Sequence, residues 1–429
     1  MVRLSGPQAL AVAGRVFRPM NPAKSPETMP GYTGAFGRVC HGEQLLDEAV
    51  LFVYHAPHSY TGEDVAEFCC HGGEFVLSQV LAAVIAAGAR PAEAGEYTRR
   101  ALMNGRMTLT EAESVIDILA AQNTQSLRAA LGAMEGALHR EVLAAADTLT
   151  DCCAHISAWI DYPEEDVEEV SPPVLLARLN RVEATLFRLE HSWQQGQMVR
   201  QGIATAIIGS ANVGKSTLMN LLSGRERSIV TDIPGTTRDV IEETVRLGDL
   251  TLRLSDTAGL RQSDDPIEQI GVERSRRALE QCDLILAVFD ESRPLTPEER
   301  EWLPQLSGRA AVIIYNKQDL PPALTAEEKA AIAAVAPVSV SISEAIRQVV
   351  GLSHFDPTAA IIANARQLEC ITAARRSLGE GIEALAAGET LDAVSVCLEQ
   401  AADALLTLTG RRASAEAIDK VFEQFCVGK

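Results

Sequence analysis

The chain has no run of eighteen apolar residues. Its longest candidate, Val76 to Ala87, is broken by Ser78 and Gln79 and cannot span a bilayer. Neither a cleavable signal nor an arginine-rich transit sequence opens it. Basic residues are scarce, 38 Lys and Arg against 58 Asp and Glu, for a formal net charge of −20. A field of that sign repels polyanions, so work on nucleic acid would need a local basic patch or a partner to hold the phosphates. The cluster Arg274, Arg276 and Arg277 is one such patch, or simply a solvated helix face. Nine cysteines are present without a C-x-x-C. The neighbours Cys69–Cys70 and Cys152–Cys153 do not suit bridging, and no metal-ligand spacing appears, so a reduced cytoplasm is expected. What remains is 429 residues, 47% hydrophobic, enough for two or three cores.

Four short motifs stand between Gly209 and Asp319, in the order used by guanine-nucleotide sites. Gly209 to Thr217 (GSANVGKST) follows the apolar run Ala204 to Ile208, which reads as a buried strand. Leu218, Leu221 and Leu222 give the next helix an apolar face. In that setting glycine lets backbone N–H groups close around phosphates across Asn212, Val213, Gly214, Lys215, Ser216 and Thr217, at a helix N-terminus. Lys215 should reach the β- and γ-phosphates, and the Ser216 hydroxyl should ligate Mg2+. Thr231 to Asp239 (TDIPGTTRD) is a hydroxyl-rich loop whose Thr237 is the expected second hydroxyl on the metal. Asp256, Thr257, Ala258 and Gly259 end the strand Leu250 to Leu254, with Asp256 near magnesium and Gly259 near the γ-phosphate. Asn316, Lys317 and Asp319 close the strand Ala311 to Tyr315. A carboxylate at Asp319 accepts the two N–H groups of guanine's edge, which adenine lacks.

The site also lacks two expected groups. Leu260 stands where Ras-like switches carry a water-orienting glutamine, so another group must do that work. The fifth guanine motif is degenerate, with Ser339 to Ser341 (SVS) in place of Ser-Ala-Lys.

TDIPGTTRD, DTAGLR and the terminal CVGK together resemble the MnmE (TrmE) family of tRNA-modification GTPases. The resemblance covers nearly the whole chain. It implies a K+ ion held by Asn212 and by oxygens of Thr231, Ile233 and Thr236, in the loop completed by Asp232, Pro234 and Gly235. It implies Glu268 as the catalytic glutamate that positions water. A fixed cation and a carboxylate are suited to developing phosphate charge and to an attacking water. It also implies a homodimer and a FAD-dependent MnmG-type partner, in a heterotetramer or larger complex. tRNA would be held mainly through that partner, and an aminomethyl-type group would be added at C5 of the wobble uridine.

Domain organisation follows the same lines: a multidomain chain with residues 1–105 as an α+β folate-binding-like domain, 106–200 and 361–429 as one helical domain, and 201–360 as an inserted α/β P-loop G domain of Ras-like type. Thr110 and Glu113 form a capping box ahead of Val115, Ile116 and Leu119. Helical periodicity continues to Trp159, is interrupted by Asp161 to Glu169, and resumes from Leu175. Leu391, Val394, Leu398, Ala402, Leu405 and Leu408 make a later stripe ended by Gly410, and Ile418, Val421, Phe422 and Phe425 a final amphipathic turn.

The resemblance places a tetrahydrofolate derivative (5,10-methylene- or 5-formyl-tetrahydrofolate) at Arg3, Glu67, Arg106 and Lys429. Family members usually carry about twenty further residues and a strand before the Arg-x-Ser-Gly segment, so Arg3 is expected to fray and folate contact to weaken. Cys426 is either a nucleophile or one-carbon handle, or an apolar contact completing the helix around Phe425. The rival reading is a ribosome-assembly or stress-response GTPase switch. Such proteins share TTRD and DTAG but usually add a KH-like or second G domain, and CVGK argues against them. A folate-binding scaffold with vestigial GTPase activity is disfavoured by intact Lys215, Thr237, Asp256 and Glu268.

Overall fold

Alternating burial along the first strands makes a one-sided sheet. The computed structural model describes residues 1–161, 169–223, 242–255, 282–335, 342–353, 355–423 and 425. The chain divides into two units, Met1–Ile116 with Leu406–Lys429, and Asp117–Leu405. In the first, β1 (Val2–Ser5), α1 (Ala9–Val16), β2 (Phe17–Pro19), β3 (Thr33–His41), β4 (Gln44–Tyr54) and β5 (Val65–Cys69) precede α2 (Glu74–Ala86), α3 (Glu96–Met103) and α4 (Leu109–Ala120). The sheet order is β1-β5-β4-β3-β2, antiparallel throughout. Leu4, Leu51, Val53, Ala66 and Phe68 point to one face and bury against Leu10, Ala13, Val80 and Val84 of α1 and α2. At Gly37 a Cβ would lie 2.5 Å from the Arg18 carbonyl, so only glycine lets β2 approach β3. Arg3, expected to fray, is instead held in β1, paired opposite Glu67.

The second unit carries α5 (Thr124–Met134), α6 (Ala137–Asp161) and α7 (Pro172–Gln201), then β6 (Ile203–Ile208), α8 (Lys215–Ser223), β7 (Glu242–Leu247), β8 (Leu250–Ser255) and β9 (Leu284–Asp290). After these come α9 (Pro297–Trp302), β10 (Ala311–Asn316), α10 (Ala326–Val335), α11 (Ile342–Val349), α12 (Ala365–Ala387) and α13 (Leu391–Thr409). Sheet order is β10-β9-β6-β8-β7, with the first four strands parallel and β7 antiparallel at the edge. Both faces are covered, so β9 is buried at every position, as parallel strands require. Val199 of α7 belongs to the same core as Ile203, Leu252 and Leu286. Gly196 of α7 leaves room for Ile361 and the Ile362 carbonyl in the segment that leads into α12, and Arg375 of α12 bonds both Glu183 and Glu190 of α7.

The last helix, α14 (Ala415–Phe422), belongs to the first unit. Its Val421 and Phe422, with Phe425, form one core with Leu109, Ala112 and Val115 of α4. Arg99 pairs with Asp419 at 2.6 Å. Gly410 ends α13 at φ 88°, as a left-handed helix end demands. The α4 cap lies two residues upstream of the expected box: the Thr108 N–H donates to Glu111 and the Glu111 N–H to Thr108. Thr110 is buried in the first turn instead.

Candidate functional site

β6 delivers the loop expected to hold phosphates at the point where the sheet's strand order reverses, between β9 and β8, the usual location for a ligand in such sheets. Gly209 (φ 151°) passes so close to β9 that a Cβ would lie 2.5 Å from the Val288 carbonyl. Gly214 (φ 97°) leaves space for the Asn316 amide, 2.0 Å from where a Cβ would be. Asn212 sits in the left-handed region at φ 60°, a strained conformation of a kind that gathers at functional sites. Ser216 and Thr217 are exposed in the first turn of α8. The Lys215 ammonium donates to the Gly209 and Ser210 carbonyls at 2.5 and 2.8 Å, folded back across its own loop. Burial lowers its pKa, and the charges of Glu298 and Glu299 act in the opposite direction.

The segment Asn316 to Asp319, expected to read the base, is tied to this loop. Asn316 donates its side-chain amide to the Val213 carbonyl at 2.7 Å. Lys317 adopts φ 60°, and its ammonium lies 2.6 Å from the Asp290 carboxylate at the end of β9. Asp319 is exposed on the same turn. Sequence reasoning missed Asp290, which also accepts from the Ser292 N–H and hydroxyl. Burial alone would raise its pKa, but the bonds from Lys317 and Ser292 prevail and lower it. A carboxylate closing a wholly apolar strand, Leu284 to Phe289, was the available signal. Arg293 grips Glu299 through two bonds of 2.7 and 2.8 Å. Glu299 caps α9 with Thr296, whose hydroxyl lies 3.3 Å from that of Ser210; Thr-x-x-Glu was legible as a capping box.

Several predicted groups lie outside the described residues: Thr231, Asp232, Ile233, Pro234, Gly235, Thr236, Thr237, Asp256, Thr257, Ala258, Gly259, Glu268, Cys426 and Lys429. So do Ser339 to Ser341 and the Arg274 cluster. Among the described residues, no three His, Cys, Asp or Glu side chains gather as a metal site, and no helix is long and apolar enough to cross a membrane.

In the first unit the sheet face away from α1 and α2 carries Arg3, Glu67, Val50, Phe52, Tyr54 and Phe36, as the register places them. Arg3 Nε bonds Glu67 at 2.6 Å. The guanidinium lies 5.9 and 5.6 Å from the ring centres of Tyr60 and Tyr97, within cation–π range. Tyr54 reaches the other Glu67 oxygen at 3.4 Å, and burial, then the Glu67 charge, raises its pKa. Arg106 packs its stem where a Cβ on Gly62 would fall, at 3.1 Å. Beside Arg3 opens a cavity of about 270 Å³, bordered by Gly6, Gln8, Tyr97 and Arg100. Arg90 and Arg100 both bond Glu96, whose carboxyl is held down at about 2, chiefly by Arg90.

Comparison with known proteins bears on both sites. Residues 109–426 match the model of the MnmE helical domain, and residues 1–106 the model of the GTP-binding protein TrmE N-terminus. The chain belongs to the MnmE family of tRNA modification GTPases. A tRNA modification GTPase MnmE from Symbiobacterium thermophilum is 40% identical over 441 residues, spanning 100% of this chain and 96% of that protein. Those of Enterococcus faecalis and Geobacillus kaustophilus are 39% and 38% identical over 446 residues, again across 100% of this chain and 95% and 96% of theirs. MnmE membership thus extends over the Gly209–Thr217 loop, the Asn316–Asp319 turn and the Arg3–Glu67 face together.

Proposed function

We propose that this chain is a potassium-stimulated GTP hydrolase that works on tRNA with a FAD-dependent MnmG-type partner, installing an aminomethyl or carboxymethylaminomethyl group at C5 of the wobble uridine. One observation carries the nucleotide assignment: Asn316 bonds the Val213 carbonyl across the gap that Gly214 leaves open, so base and phosphate recognition share one scaffold. The exposed α8 N-terminus and the glycine-lined cradle suit an anionic triphosphate. Lys215 is poised to exchange its two carbonyl partners for phosphate oxygens. Mg2+ bound through Ser216 and Thr237, and K+ bound through Asn212, Thr231, Ile233 and Thr236, would neutralise developing phosphate charge. Glu268 would orient the attacking water, and Asp256 the metal's solvent shell.

The second site is read as a tetrahydrofolate pocket built on Arg3, Glu67, Arg106 and Lys429, with Tyr54, Tyr60 and Tyr97 lining it. A carboxylate and aromatic rings suit a pterin, and cations suit the folate tail. The apolar residues of that open face, Phe36, Val50 and Phe52, suit burial in a homodimer. In this reading residues 1–105 form the folate domain, 106–200 with 361–429 the helical domain, and 201–360 the G domain, while Cys426 would serve as a nucleophile or one-carbon handle.

Replacing Asp319 by Asn tests the nucleotide reading. The variant should lose GTP affinity and gain affinity for XTP, whose base offers an acceptor where guanine has an amino group. Unchanged GTP affinity with no XTP binding would refute it. A second test compares wobble-uridine modification in cells with and without the gene.

A further inference from the structure

We infer that Asp290 is a positioning residue for guanine recognition, fixing the base-recognition turn through Lys317 as Asn316 fixes it through the phosphate loop; this rests on the guanine-site reading. The turn is held at two points. Asn316 anchors it to the phosphate loop through the Val213 carbonyl. Asp290 anchors it to the end of β9 through Lys317, at 2.6 Å.

The second anchor has the marks of a built contact. The Asp290 side chain is 4% exposed, against 33% for Lys317. One oxygen is taken by the Ser292 N–H and hydroxyl at 3.0 and 2.6 Å, which leaves the other for the ammonium. Arg293, 3.7 Å from that same oxygen, joins Asp290 to Glu299 and so to the Thr296–Ser210 contact at the phosphate loop. Lys317 itself holds a left-handed backbone, which persists only where the surroundings over-determine it. Asp319 is two residues further along the same turn, and the Leu320 N–H closes that turn onto the Lys317 carbonyl at 3.0 Å.

With both anchors in place, Asp319 meets its ligand already ordered, and binding need not bear that ordering cost. Without Asp290 the ammonium would be drawn to solvent and the turn would relax on one side. The loss should fall on the base, so every guanine nucleotide should feel it equally, whatever its phosphate count. A role in phosphate binding would instead penalise GTP more than GDP.

The test uses the full-length chain and fluorescent derivatives of GTP, GDP and ATP. Asp290→Asn, nearly isosteric, should weaken GTP and GDP alike by about tenfold, the scale of one charge-assisted hydrogen bond. Asp290→Asn combined with Lys317→Met should be no weaker than Lys317→Met alone, because both remove one contact. Ser292→Ala, which loosens Asp290 without removing it, should give the same pattern at about two- to threefold, and serves if Asp290→Asn does not fold. Wild-type GDP affinity in Asp290→Asn, additive losses in the double variant, or a loss confined to GTP would each overturn the inference. Failure of the unsubstituted chain to prefer GTP over ATP would instead overturn the guanine-site reading beneath it.

Discussion

Replacing Gly95 by Ala should undock the end of the chain while leaving both sheets intact. Gly95 precedes α3 at φ 68°, and Phe425 and Phe422 stack against it with ring centres 4.9 Å apart. An added Cβ would lie 2.8 Å from both Cβ and Cγ of Phe425 and 3.0 Å from the Phe422 ring. The left-handed backbone costs an alanine about 1–2 kcal/mol, and overpacking a filled site costs about 1–3 kcal/mol more. Expelling Phe425, 6% exposed, sacrifices about 1.5–3 kcal/mol of burial. The two routes are comparable, and α14, only eight residues long, cannot hold itself as an isolated helix. The expected outcome is therefore release of Phe425 and fraying of α14. Native-state hydrogen exchange should show Ile418 to Phe422 losing protection by about two orders of magnitude, with β4 and β6 unchanged. GTP binding should persist while binding of 5-formyltetrahydrofolate weakens. Unaltered protection in α14, with an unaltered melting temperature, would refute the packing argument.

Gly214→Ala should drive the Asn316 amide off the Val213 carbonyl and lower affinity for GDP by at least about a hundredfold, the scale of a lost hydrogen bond plus steric strain, as read by fluorescent-nucleotide titration. Asn212→Ala should retain nucleotide binding but abolish the faster phosphate release expected in potassium over sodium at equal ionic strength. Glu96→Gln should cost about 1–2 kcal/mol at pH 7, after allowing for solvent around Arg90. The folded Glu96 pKa is depressed to about 2, so its contribution is complete above the ordinary carboxylate range and is lost as pH falls toward 2. Urea melts of the two proteins should then converge at the acid end.

Much of the parallel-sheet part of the second unit was legible because local pattern and chemistry coincide there. Apolar runs before Gly209 and Asn316 become β6 and β10 with ends shifted by one residue, since those strands are buried on both faces. Leu218 and Leu222 reach the core as expected, but Leu221 is 55% exposed, because the core-facing stripe of α8 is narrower than three leucines. The helical stretch toward Trp159 is three helices, broken near Asn123 and Gly136; Asn123 caps a new start that periodicity alone does not reveal. The Arg3 cage was out of reach in sequence, and Asp290 was marked only as a carboxylate ending an apolar strand, with no sign of its partner. Their partners, Lys317, Tyr60 and Tyr97, become neighbours only through strand pairing and helix packing.

The core shared by α4 and α14 also bears on synthesis. Beside it the Arg99–Asp419 bridge, from α3 to α14, joins residues 320 apart in the chain. At roughly 5–20 residues per second on the ribosome, Leu109 and Val115 would wait roughly 16–64 s for the residues that cover them. During that interval α4 offers an apolar strip to any chaperone or aggregating neighbour. A nascent chain halted shortly before Val421 would therefore keep its sheets and still display a sticky surface, and the cell's quality control would meet it there.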